Sequence, residues 1–143
     1  MNKYILYLFI LFNIACKSDL KKIETINSNS FETIDSTITG ISFVNEIVET
    51  DSLNVDTYYY VYAGGGVGIG DFNNDSKPDI YFTSNTGSDE IYLNEGNFKF
   101  KNITKQSNIE SNTGWKNGVS IVDINNDGYL DIYVSRGFKK YFG

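Results

Sequence analysis

The sequence predicts an all-β fold built from a repeated four-stranded unit. The chain contains eleven Tyr and ten Phe among 143 residues, and aromatic residues favour strands. A nine-residue motif rich in Asp and Asn occurs twice, 52 residues apart, and a run of β-branched and aromatic residues follows each copy. The aromatic content of 15% and the single Pro argue against disorder. This length allows one domain at most.

The net negative charge, the absence of His and the single Cys limit the classes of function that the chain could have. The formal charge is −6, from 12 basic and 18 acidic residues, and the acidic residues concentrate in the two motif copies. This balance disfavours nucleic acid as a partner. The sequence has no His, the commonest transition-metal ligand and the usual general base. Its single Cys excludes an internal disulfide.

The N-terminus predicts export and a lipid anchor. Lys3 precedes about nine apolar residues, enough for a signal peptide and too few to span a bilayer. The run ends in Asn13-Ile14-Ala15-Cys16, which resembles a bacterial lipoprotein signal. We therefore expect a signal peptide over residues 1–15, lipidation of Cys16, and attachment to the bacterial outer membrane or cell surface. The alternative is a buried free thiol at Cys16.

The next segments are predicted to be a tether and then the folded part. Residues 16–39 would comprise the lipidated Cys and a polar tether without regular periodicity. Residues 40–143 would form the folded segment that contains the repeat. Two strand-like runs, at residues 40–48 and 57–62, precede the repeat.

The repeat itself predicts a propeller blade. Residues 66–83 and 118–135 share ten identical positions. In the first copy these are Gly66, Val67, Ile69, Asp71, Asn73, Asn74, Asp75, Asp79, Ile80 and Tyr81. One unit would contain four strands, at residues 67–72, 80–84, 90–94 and 98–104. Four strands at a period near 50 are typical of a β-propeller blade, so we predict a partial propeller of about one and a half blades.

The motif itself predicts two calcium sites. Oxygen-bearing side chains fall at motif positions 1, 3, 5 and 9, which are Asp71, Asn73, Asp75 and Asp79, then Asp123, Asn125, Asp127 and Asp131. The backbone carbonyls near position 7, of Lys77 and Tyr129, would add a ligand to each loop. Calcium binds six to eight oxygens at roughly 2.3–2.6 Å, so such a loop with water would nearly complete its shell.

Other motifs fit the sequence less well. An EF-hand needs a Glu at position 12, where this chain has Phe82 and Val134. The glycine-rich run at residues 63–70 lacks the Lys and the helix of a phosphate-binding loop. It would instead give a strand with one nearly bare face, as needed where inner strands crowd together.

Catalysis and glycan binding are alternatives to metal binding. Glycosidases use two carboxylates on either side of a sugar, but clustered acids within nine residues are expected to share an ion, so we predict no enzyme. Trp115 and Tyr58–Tyr60 could form a platform for a glycan, or could lie in the core or between blades.

These motifs resemble a known family. Residues 66–81 and 118–133 resemble the FG-GAP/VCBS repeats of β-propellers, which include the calcium loops of integrin α-subunits. The linking segment, residues 91–104, is similar to bacterial lipoproteins that carry such repeats ahead of an ASPIC/UnbV domain. We therefore expect a non-enzymatic, membrane-anchored calcium-binding scaffold that has a binding or adhesion role, with a protein or glycan ligand. The alternative function is an accessory role in polysaccharide capture or degradation.

The repeat count predicts an incomplete folding unit. A closed propeller has four to eight blades, so further blades would come from a longer chain or from self-association. Without them, residues 80–84 and 132–135 are expected to have unpaired strand edges.

Overall fold

The computed structural model describes residues 31–109 and 114–137. The chain divides into two compact units, Met1–Thr33 and Ile34–Gly143, and every element below belongs to the second. The predicted signal peptide, Cys16 and most of the predicted tether lie outside the described residues, as do residues 138–143. Among the described residues, no helix is long and apolar enough to cross a membrane.

A single helical turn, α1 (Ser36–Thr39), precedes the strands. Asp35 caps its N-terminus, where its carboxylate accepts the backbone N–H of Thr37 at 2.8 Å. Gly40 ends the turn in the left-handed conformation, with φ of 74°. A Cβ at Gly40 would lie 2.7 Å from the carbonyl oxygen of Phe100, so this turn is seated closely on the fourth strand.

The first repeat folds into a four-stranded antiparallel sheet, the first sheet. Its strands are β1 (Val67–Gly70), β2 (Asp79–Phe82), β3 (Glu90–Gly96) and β4 (Lys99–Asn102), in the spatial order β1-β2-β3-β4. All four predicted strands are present. The first begins as predicted but ends at Gly70, because the motif residues that follow it form a loop held by side-chain hydrogen bonds.

The second repeat begins in the same way. Its strands β5 (Trp115–Val122) and β6 (Asp131–Gly137) form the two-stranded second sheet. Ser120 pairs with Tyr133, as Gly68 pairs with Tyr81 one repeat earlier. The register of the strand pair therefore recurs with the 52-residue offset of the sequence, which confirms the all-β fold class and the repeat.

The prediction of strands at residues 40–48 and 57–62 is wrong. Residues 41–48 alternate between half-buried and exposed but pair with no strand. They lie on the first sheet through side chains, including a stacked contact of Phe43 with Phe82 at 4.8 Å between ring centroids. Residues 57–62 form turns, because Asn54 Oδ1 accepts the backbone N–H groups of Asp56 and Thr57, each at 3.0 Å.

Residues 53–61 supply three of the four residues of a small core. The core cluster contains Leu53, Tyr58, Val61 and Trp115, with Ile47 packed against it. The Tyr58 and Trp115 rings meet edge to face, with centroids 5.1 Å apart. Trp115 is the first residue of β5, so this core joins the segment before the repeats to the second sheet.

The expected unpaired edges occur in only one of the two places. Residues 79–82 are not at an edge, because β2 pairs with β1 on one side and with β3 on the other. In contrast, within the described part of the chain β6 pairs only with β5. The outer edge of the second sheet therefore matches the expectation, whereas in the first sheet β2 is an internal strand and the described edges are β1 and β4.

Glycines allow the two sheets to pack closely. Gly66, Gly68 and Gly70 lie on one face of β1, here called the glycine face. A Cβ at Gly68 would lie 2.7 Å from Ile121 Cδ1, and one at Gly70 would lie 2.8 Å from Ile121 Cγ2. The bare strand face predicted from the sequence is therefore present, and it receives side chains of β5.

Candidate metal-binding loops

The first loop joins β1 to β2 and is held by its own side chains. Asp71 Oδ1 and Asn73 Oδ1 both accept the backbone N–H of Asp75, at 3.0 and 3.1 Å. Asp71 Oδ2 accepts from the N–H of Ser76 at 2.7 Å, and Asp75 Oδ1 accepts from that of Lys77 at 2.9 Å. Because two of the predicted ligand oxygens accept from one backbone N–H, motif positions 1 and 3 converge.

The second loop, between β5 and β6, repeats this pattern bond for bond. Asp123 Oδ1 and Asn125 Oδ1 share the N–H of Asp127, both at 3.1 Å. Asp123 Oδ2 accepts from Gly128 N at 2.9 Å, and Asp127 Oδ1 accepts from Tyr129 N at 2.9 Å. Two stretches that differ at several side chains thus adopt one loop geometry, which is set by the shared Asp and Asn positions.

The ninth motif residue has a separate role at the base of each loop. Asp79 is fully buried, and its carboxylate accepts the N–H of Phe72 at 2.9 Å and that of Asn94 in β3 at 2.8 Å. Asp131 accepts the N–H of Ile124 at 2.9 Å in the same way. These two residues, predicted as ligands, close the loops onto the strands.

Two positions in each loop have left-handed backbone. Asn74 and Ser76 have φ of 58° and 66°, and their counterparts Asn126 and Gly128 have φ of 59° and 87°. Asn tolerates this conformation and Gly adopts it freely, whereas Ser does not favour it. The two loops also touch, since Asn74 Nδ2 donates to the carbonyl oxygen of Gly128 at 3.3 Å.

The first loop contains a positively charged lysine side chain, which the second loop lacks. Lys77 Nζ lies 2.8 Å from Asp75 Oδ2, and this hydrogen bond lowers the pKa of Asp75 below its usual value. The same contact raises the pKa of Lys77. Position 7 of the second loop is Tyr129, so Asp127 has no such ion pair among the described residues.

The donor chemistry of the loops suits a hard cation. Each loop has carboxylate and amide oxygens at positions 1, 3 and 5, the ligand types that calcium prefers. Within residues 31–109 and 114–137, however, no group of three or more His, Cys, Asp or Glu side chains is placed to hold a metal ion. The loops thus provide a suitable donor set whose carboxylates hydrogen-bond to their own backbone.

The loop geometry, the repeat register and the four-stranded meander together point to one family. Residues 71–134 match the family model of the FG-GAP-like repeat. The match runs from the first loop into the second repeat. FG-GAP repeats are the blade units of β-propellers, so the first sheet is one blade and the second sheet begins another. No curated protein and no solved structure matches the chain. Residues 71–134 are therefore similar to a repeat scaffold of the propeller type.

A buried polar cluster joins the two sheets, and no sequence pattern predicted it. Lys116 Nζ and Asp89 Oδ1 lie 3.0 Å apart with both side chains fully buried. Asp89 also accepts from Ser84 N at 2.8 Å and from the Tyr81 hydroxyl at 2.9 Å. Asn85 Nδ2 donates to the carbonyl oxygen of Lys116 at 2.9 Å. Asp89 and Lys116 do not belong to any motif with a characteristic spacing in the sequence. Only the packing of the two sheets shows that they form a cluster.

The predicted aromatic platform is divided between the core and the surface. Trp115 and Tyr58 are buried, so these two belong to the core as the alternative interpretation expected. Tyr59, Tyr60 and the nearby Tyr62 are exposed. Tyr62 donates to Glu49 Oε1 at 2.6 Å, and this bond to a carboxylate raises the pKa of Tyr62.

Proposed function

We propose that this chain is a calcium-stabilised FG-GAP-like scaffold that binds a partner and catalyses no reaction. The observation that carries the proposal is the repetition of one hydrogen-bond pattern in two loops with different side chains at positions 2, 6, 7 and 8. Three acidic side chains lie within nine residues in each loop, so their negative charges repel one another. A bound divalent cation would offset their mutual repulsion.

The ten predicted ligands would hold two ions. In the first loop these are Asp71, Asn73, Asp75, Asp79 and the carbonyl of Lys77, and in the second they are Asp123, Asn125, Asp127, Asp131 and the carbonyl of Tyr129. Asp79 and Asp131 would bind the ion from the base of each loop. They would also retain their hydrogen bonds from the backbone N–H groups of Phe72 and Ile124. Calcium would then neutralise much of the −6 charge.

We further propose that the scaffold is exported and lipid-anchored through Cys16 at the outer membrane or cell surface. The support is the N-terminal sequence alone: an apolar run followed by Ala15-Cys16. Several acyl chains on one Cys would anchor the chain stably, because each buried methylene contributes about 0.8 kcal/mol.

A glycan is a second candidate ligand for the scaffold. The exposed Tyr59, Tyr60 and Tyr62 favour it, because tyrosines offer a rigid apolar surface together with a hydroxyl. Binding of the intact chain to a glycan array, lost in a Tyr59→Ala and Tyr60→Ala double variant, would support this candidate. An array with no binding would leave a protein partner as the ligand class.

Calcium-dependent melting tests the metal sites. With a dissociation constant of roughly 10 μM and free calcium near 1 mM, each site would stabilise the fold by about 2.7 kcal/mol. We expect calcium to raise the melting temperature, and we expect Asp127→Ala to remove about half of the gain. Asp56→Ala, at an exposed acid outside the loops, is the matched control. No shift with calcium, or an equal shift with magnesium, would refute the calcium assignment.

A further inference from the structure

The two apolar side chains on the outer face of β1 are exposed although their counterparts are packed. Val67 and Ile69 are 58% and 64% exposed. One repeat later, Val119 and Ile121 occupy the same positions of β5, and both lie against the glycine face of β1. The same pair of side chains is thus part of an interface in one repeat and open in the other. We call Val67 and Ile69 the knob face.

The second sheet has the complementary surface. The positions that match the glycine face are Gly118, Ser120 and Val122, and Tyr133 pairs with Ser120 on that side. Ser120 is exposed, and Val122 and Tyr133 are 45% and 61% exposed. In contrast, Tyr81, the counterpart of Tyr133, is only 2% exposed. We call Gly118, Ser120, Val122 and Tyr133 the socket face.

We propose that the knob face of one copy of this chain docks on the socket face of a second copy. The contact would continue between chains the packing that β5 makes with β1 inside the chain. Ile69 would lie over Ser120, as Ile121 lies over Gly68. Val122 stands where the first repeat has Gly70, so the incoming strand would lie further out at that end and bury additional apolar surface there.

Such a contact is head-to-tail, because two different faces meet. Heterologous contacts form a ring if the rotation closes and a filament if it does not. Closed propellers have four to eight blades, and the two described sheets of each copy would occupy two blade positions, so a ring would contain roughly two to four copies. The inference goes beyond the proposed function and does not depend on calcium.

Two variants that each block one face test the proposal. Ile69→Lys places a charge on the knob face, and Ser120→Lys places one on the socket face. Because both positions are exposed, circular dichroism should show both variants folded. In analytical ultracentrifugation of the full chain, we expect the unmodified protein to form a defined oligomer and each variant alone to be monomeric. An equal mixture of the two should form a dimer and nothing larger, because each variant retains one intact face.

The remaining outcomes decide against the proposal. An unmodified chain that stays monomeric at the highest concentration reached would overturn it, as would a variant that assembles like the unmodified chain. A dimer formed by Ile69→Lys alone would show a two-fold contact through one face and would also overturn it. Ile38→Lys, at an exposed apolar residue on α1, is the control and should leave assembly unchanged.

Discussion

Ser76 is a non-glycine residue held in the left-handed conformation where the second loop has Gly128. Holding such a residue there costs on the order of 1 kcal/mol. We predict that Ser76→Gly stabilises the fold by about 0.5 kcal/mol, since the greater freedom of glycine in the unfolded chain offsets part of the gain. Urea unfolding measures this difference. Gly128→Ser is the reciprocal test and should destabilise by about 0.5 kcal/mol, because the same two effects act in the opposite direction; equal stability of all three chains would contradict the strain argument.

Tyr81 gives stability a dependence on alkaline pH. Burial raises the pKa of Tyr81, and its hydrogen bond to the Asp89 carboxylate raises it further. An unfolded tyrosine ionises near pH 10, so above that value the unfolded chain binds fewer protons than the folded one, and stability falls as pH rises. Below about pH 10 the stabilisation by the neutral hydroxyl is fully present.

Comparison of Tyr81→Phe with the unmodified chain isolates this effect. We predict that Tyr81→Phe is less stable at pH 8 by about 1 kcal/mol, through loss of the hydrogen bond, but loses less stability between pH 8 and pH 11. Urea unfolding at the two pH values gives the four free energies. Tyr59→Phe, at an exposed tyrosine, is the control. Parallel losses in Tyr81→Phe and the unmodified chain would rule out this role of Tyr81.

At the scale of elements, the ion pair between Lys116 of β5 and Asp89 holds the two sheets together. Removal of one partner of a buried pair typically costs 3–5 kcal/mol, because the remaining charge stays buried without its partner. We predict a loss of about 3 kcal/mol for Lys116→Met in urea unfolding, and partial recovery when Asp89→Asn is added. Lys77→Met is a matched control, because Lys77 and Asp75 form a largely solvated pair, 44% and 32% exposed. Its change should stay under about 1 kcal/mol; similar losses in both variants would contradict the prediction.

The strands and loops of the repeat could be predicted because their signals are local. The alternation of aromatic and β-branched residues marks β2 and β3, and the Asp and Asn spacing marks the loops. Residues 57–62 have the composition of a strand, but Asn54 hydrogen-bonds to the following backbone and imposes turns. The pairing of β2 on both sides and the contact of Lys116 with Asp89 depend on chain segments that meet only after folding. No local sequence pattern encodes these contacts.

At the scale of the whole molecule, Cys16 would determine where the scaffold resides. If Cys16 is lipidated, the mature chain should partition into detergent, and its intact mass should exceed that of residues 16–143 by several acyl chains. Cys16→Ser should yield uncleaved or soluble protein. Mass spectrometry of the membrane fraction makes both measurements. An unmodified Cys16 in a soluble fraction would refute the anchor.

The glycine face also means that two repeats with ten identical residues are not interchangeable. If the second repeat's strand replaced β1, Val122 would take the place of Gly70, where an added Cβ would lie 2.8 Å from Ile121 Cγ2 and 2.9 Å from Leu130 Cδ1. Such overlap forces side chains or backbone to move, at a typical cost of about 1–3 kcal/mol. Gly70 is therefore matched to the close approach of β5, whereas a strand with Val122 at this position would hold its neighbour further out. A chain with its repeats exchanged would have the same composition and the same loops, yet its sheets could not approach as closely.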